Sequence, residues 1–260
     1  MFAFGWRRLI VVCTAIALVI GFVITAGQVK AETKRQVGAI AKTPALEIRS
    51  AQVRYLPDLE LLVFEQQVKG TAGSTLPQPV GQLDGAPVLG YVFPTTLKPE
   101  AVGFSATEGI VALAVTSHPD FDDTPLWDEN NDRNYANDGR VWHTHWVVLT
   151  QDKRVPGGLA VKQFAKDDRS VVLPPTNPGM PMYMDSPGFA VTTQLNTLRV
   201  LVPVQRVNGN TNFNFDAVTA YMQVNTSDRN RPMLGVYNVY SVGSGNLSLP
   251  YRVQREKGRS

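Results

Sequence analysis

Cysteine is all but missing from this 260-residue chain: there is one, Cys13, inside an apolar run near the start. Beyond that run there is no thiol, so disulfides, thiolate metal sites and cysteine nucleophiles are excluded there. Histidine is nearly as scarce, with three residues. No stretch beyond Ala45 sustains a 3.6-residue apolar period with caps, which argues against helices. Neither G-x-S-x-G, nor G-x-G-x-x-G, nor a phosphate-cradling loop occurs, and no Ser-His-Asp triad can be placed. Surplus charge is absent too. Of the 25 basic residues, Arg7, Arg8 and Lys30 fall in the first 31 positions, which hold no acid, so the remainder carries 22 basic against 22 acidic residues. A balanced body has no electrostatic footprint for nucleic acid, so no nucleic-acid partner is expected.

What is present begins with a leader. Arg7 and Arg8 precede an apolar run over 9–26, and Val29-Lys30-Ala31 offers a small-residue cut. That order is the order of a secretory signal. The run is also long enough to anchor, since about 18 apolar residues can span a bilayer. Residues 1–31 are therefore expected to be a signal peptide or N-terminal membrane anchor. Membrane contact is expected through 9–26 alone, if the leader stays uncleaved. The rest is expected to be extracytoplasmic, periplasmic or secreted. Residues 32–44 read as a flexible lead-in, 45–253 as one domain, and 254–260 as a solvated basic tail.

Within 45–253, short β-branched and aromatic runs are cut by Gly, Pro, Asn and Asp, the signature of strands. Strands are expected over 46–55, 60–69, 88–93, 109–116, 141–150, 159–164, 170–173, 189–194, 198–207, 217–224, 234–242 and 247–253. The fold class that follows is all-β: a single antiparallel β-sandwich or jelly-roll-like domain.

The chemistry concentrates in "RVWHTHWVVLTQ". On a strand, alternate side chains share a face, so His143 and His145 lie with Val141, Val147 and Leu149, and Trp142 and Trp146 lie on the other side. Imidazoles two residues apart stand roughly 7 Å apart at their bases and can converge on one ion. The remaining histidine, His118, ends the preceding strand. A hairpin register pairing His118 with Val141 would put all three imidazoles on one face, whereas a slip of one residue would turn His118 away. H-x-H on a strand resembles the metal motif of cupins and of alpha-type carbonic anhydrases, which implies an imidazole-bound metal. The likeness is confined to these residues. Leu149, Thr150 and Gln151 stand where a cupin would carry a glutamate, and His118 precedes the pair, whereas the carbonic anhydrases carry their third histidine after it.

Two further segments suggest ions. In "NPGMPMYMDSPG", Met180, Met182 and Met184 alternate, and thioethers suit copper(I) as an auxiliary site; the plain reading is gap-filling under a loop. Between His118 and His143, residues 119–139 hold seven acids against Arg133 alone. There Asp128, Asn130, Asp132 and Asn134 alternate as calcium-loop oxygens do, although Arg133 and Gly139 break the EF-hand pattern. The plain reading is a solvated hairpin tip.

Three functions fit. The first is an exported metal-binding protein holding copper or zinc at His118, His143 and His145. The second is a zinc-dependent enzyme, with Asp120 or Asp122 as nearby acids. The third is a calcium-stabilised carbohydrate or surface-recognition module using Trp127, Trp142, Trp146 and Tyr135. The absence of catalytic signatures favours binding. The metal ion is the expected partner; the sequence does not tell whether there is a protein partner.

Overall fold

The structure, a computed structural model, describes residues 43–124, 128, 131–134 and 141–257. The leader, nearly all of the lead-in, Trp127, Asn130 and Tyr135 lie outside the described residues. Among the described residues no helix is long and apolar enough to cross a membrane.

The described chain is mostly β, with a few short 3₁₀ turns. Its strands are β1 (Ile48–Leu56), β2 (Leu61–Val68), β3 (Pro87–Pro94), β4 (Ile110–Ser117), β5 (His143–Gln151), β6 (Leu159–Val161), β7 (Met184–Asp185), β8 (Ala190–Gln194), β9 (Thr197–Pro203), β10 (Asn214–Phe215), β11 (Val218–Val224), β12 (Leu234–Val242), β13 (Tyr251–Arg252) and β14 (Gln254–Arg255). One sheet runs β14-β1-β2-β9-β8, a small one joins β10 to β13, and the largest runs β4-β3-β11-β12-β6-β5-β7. In the largest sheet β4 also pairs with β5, so six strands close on themselves like a barrel. All-β stands. The expected arrangement as a sandwich or jelly roll is not confirmed; what the strands form is a barrel-like closed sheet with an open sheet against it.

Alternation explains how both faces of the closed sheet are used. Ala112 and Ala114 of β4, Val147 and Leu149 of β5, and Val218, Ala220 and Met222 of β11 form an aliphatic cluster inside the closure. The intervening residues point outwards to the open sheet, whose β2 presents the fully buried Leu62, Phe64, Gln66 and Val68. Phe64 meets Phe93 edge-on at 5.3 Å between ring centroids and Trp146 at 6.3 Å. Gln66 Nε2 donates to the Val92 carbonyl at 2.9 Å, and Tyr91 donates to the Ala45 carbonyl at 2.8 Å. These bonds satisfy polar groups that burial would otherwise penalise.

Several strand expectations need correction. Residues 170–173 form no strand, because Pro174 and Pro175 follow and Val172 N is held by the Ser105 hydroxyl instead of a ladder. The segment expected over 247–253 narrows to β13, and 204–207 turns into a 3₁₀ coil after Pro203. In the C-terminal segment read as a solvated tail, Gln254 and Arg255 pair in parallel with Arg54 and Tyr55.

Candidate metal centre

The β4–β5 register decides where the histidines go. Ala114 lies opposite His145 and Thr116 opposite His143. Continued two residues, that ladder places His118 opposite Val141, the register that puts all three imidazoles on one face. The rings do gather: centroids of His118 and His143 are 4.5 Å apart, those of His143 and His145 4.7 Å, and those of His118 and His145 6.1 Å.

A fourth group stands among them. Asp123, five residues after His118, turns back from the loop so that Oδ1 lies 3.1 Å from His143 Nε2 and 3.3 Å from His118 Nε2, and Oδ2 lies 3.5 Å from His145 Nε2. One ligand atom from each of His118, Asp123, His143 and His145 falls within 4.8 Å of the others, and all four residues are buried. Among the described residues this group could hold a metal ion.

The other ring nitrogens are already committed. His118 Nδ1 contacts the Phe121 carbonyl at 2.9 Å, and His143 Nδ1 contacts the Val141 carbonyl at 2.5 Å. A carbonyl only accepts, so both rings carry their proton on Nδ1. His145 Nδ1 lies 3.1 Å from Ser186 Oγ, whose own proton goes to the Asp123 carbonyl at 2.6 Å. Ser186 can then only accept from His145, so that ring too is protonated on Nδ1. The β5–β7 ladder explains how Ser186 arrives: Trp146 pairs with Asp185 and Val147 with Met184, so Ser186 falls beside His145. Phe121 stacks flat on His118, with centroids 4.1 Å apart and 7° between planes.

Nε2 of all three rings and a carboxylate therefore converge. Nε2 of His118 and of His145 are buried without a hydrogen-bond partner, while His143 Nε2 has Thr116 Oγ1 at 3.4 Å besides Asp123. Burial works against a charge on Asp123. The attraction of His145 and His118, with the close approach of His118 and His143 Nε2, outweighs it and holds the carboxyl well below its usual range. Burial also works against a charge on His118, but Asp123 overcomes it and raises that pKa. Burial pushes His145 down to about 3 against the pull of Asp123, which leaves it neutral with a free lone pair.

The sequence reading missed Asp123 and named its neighbours. Asp120 is spent on the backbone N–H groups of Val80 and Gly81, at 2.8 and 2.6 Å. Asp122 caps Thr124 at 2.8 Å. The one usable signal was that Asp123 lies in the segment just after a strand end that already carries a histidine.

The other expected sites divide. Met182 and Met184 are buried in the aliphatic cluster and Met180 packs against it, while Met180 and Met184 border the same cavity as His118, Asp123 and His145. Asp128 accepts from the backbone of Asp132 at 3.1 Å and of Arg133 at 2.8 Å, and Asp132 accepts from Asn134 at 2.7 Å; Asn130 lies outside the described residues. Trp142 and Trp146 are buried. Trp142 donates to the Gly73 carbonyl at 2.9 Å and packs edge-on against Tyr91, so neither ring is offered to a sugar.

No family model, curated protein or solved structure matches this chain. Whatever is concluded about function rests on the four converging side chains.

Proposed function

We propose that this is an exported protein that holds one transition-metal ion, copper or zinc, through Nε2 of His118, His143 and His145 and the carboxylate of Asp123. The observation that carries the reading is the orientation of the rings. Each Nδ1–H is tied to an oxygen outside the cluster, so the three Nε2 atoms and the Asp123 carboxylate face one another, and Nε2 of His118 and of His145 is buried without a hydrogen-bond partner, an arrangement a cation relieves. Tethering of the outer nitrogen is the usual support for an imidazole that binds metal through the other.

Three imidazoles and one carboxylate suit tetrahedral zinc, and four protein ligands leave no position reserved for an activated water, which favours holding the ion over catalysis. Copper is the ion for which the neighbouring thioethers of Met180 and Met184 would matter as an auxiliary site. Export is supported by the basic, apolar and small-residue order of residues 1–31 and by the lack of cysteine beyond them.

Metal analysis of the purified protein tests this, with zinc or copper expected at one ion per chain. Replacing both His143 and His145 with Ala should reduce retention to background. Unchanged retention in that variant would overturn the proposal. So would failure of the wild type to take up either ion, which would leave the cluster as a buried His118–Asp123 ion pair.

A further inference from the structure

Inside the closed sheet lies a cavity of about 80 Å³. Its wall is aliphatic, with inward residues such as Val92, Val147, Val218, Ala220, Met222 and Val224. The polar side chains on it are Thr116, His118, Asp123 and His145, which all belong to the metal centre or touch it. The chamber is therefore one-sided, with a single polar end.

Its shape follows from the strands. Val218, Ala220, Met222 and Val224 all border it, so the inward side chains of one strand form a continuous apolar wall. A volume worth two or three waters, at about 30 Å³ each, is short as well as narrow. An engineered cavity of about 150 Å³ takes benzene, so this one admits a thin chain and not a ring. Thioether side chains are unbranched and adaptable, so Met180, Met184 and Met222 can yield along it. At the polar end, a divalent ion with Asp123 as its one anionic ligand keeps a net positive charge, which favours an anionic oxygen as a further ligand. Zinc can expand to five positions to accept it.

We propose that the lumen receives one short, unbranched monocarboxylate. Its alkyl tail lies along β11, and its carboxylate meets the bound ion on the side of His118, Asp123 and His145. The placement of the head rests on the metal reading; the fit of the tail rests on the wall alone.

The test uses the full chain with its metal, carrying ¹³C-methyl methionine, and follows the methyl signals by NMR. The probes are sodium acetate, butyrate, hexanoate and decanoate, with xenon under pressure to report on the chamber alone. Expected are saturable shifts of the Met180, Met184 and Met222 signals. Affinity should tighten about fourfold per added methylene as far as butyrate, and decanoate should gain nothing more. Ala220→Leu should erase the gain with chain length while metal content stays unchanged. Val218→Ala should move the preferred length upward, and it decides the matter if the leucine variant fails to fold. Retained metal with methyl signals unmoved by every acid would overturn the chamber and leave the metal reading standing. Shifts without dependence on length would overturn it as well. Length-dependent shifts in a protein that holds neither copper nor zinc would support the tail site and overturn the ion.

Discussion

The two sides of the closed sheet are built from the same strands yet packed in opposite ways. Outside, Phe93 and Trp146 meet Phe64 from the open sheet, and these rings are fully buried, with the interlocked contacts of a dense interior. Inside, Ala114, Val147 and Ala220 leave a chamber unfilled. The outer face holds the fold together through these rings, with Trp146 Nε1 buried among them without a hydrogen-bond partner. The inner face gives up contacts that dispersion would reward, and it keeps its titratable groups at one end. Packing contacts and candidate metal ligands are sorted onto alternate residues of β5.

The contrast can be broken first where the effect is largest. Phe64→Ala should cost about 3–5 kcal/mol in urea unfolding, because it opens a void among rings that cannot collapse onto one another. It should leave metal affinity unchanged. A loss under about 1 kcal/mol would mean that the outer face is not the tight one. The converse change is Ser186→Ala, which frees the His145 ring from its tether; competition with a chelator should show metal affinity reduced about 10–100-fold. An unaltered affinity would remove Ser186 from the centre. Smallest is a matched pair in unfolding stability. Val115→Leu, on the packed side, should cost about 1–3 kcal/mol by overfilling. Ala220→Val, against the chamber, should stay within about 1 kcal/mol of wild type or stabilise it. Equal costs for the two would erase the distinction.

Part of this was legible in the sequence. Period-two alternation puts His143 and His145 on one face and Trp142 and Trp146 on the other, but the register that decides the side of His118 was open to a one-residue slip until the β4–β5 ladder, with Thr116 opposite His143, set it. The tryptophans were readable as interior because they share a face with Val148. Closure of the sheet was not legible. β4 and β5 are apolar on both faces, and such a strand fits the middle of a sandwich as well as the wall of a barrel. Asp123 was hidden for a different reason. A carboxylate in a loop has no periodicity to give its direction, and three neighbouring acids, Asp120, Asp122 and Asp123, look alike until the chain path sends one inward. The alternate methionines were visible, but their spacing reads the same for ligands as for a strand edge, and β7 at two residues is too short to leave a pattern.

The pairing of β4 with β5 is the seam at which the sheet shuts. His118 stands just past one lip of that seam, and His143 and His145 stand on the other, with 24 residues of chain between His118 and His143. An ion gripped across both lips would act as a clasp. It would make sliding of one strand along the other costly, since a single step would turn the imidazoles out of the lumen and the indoles into it.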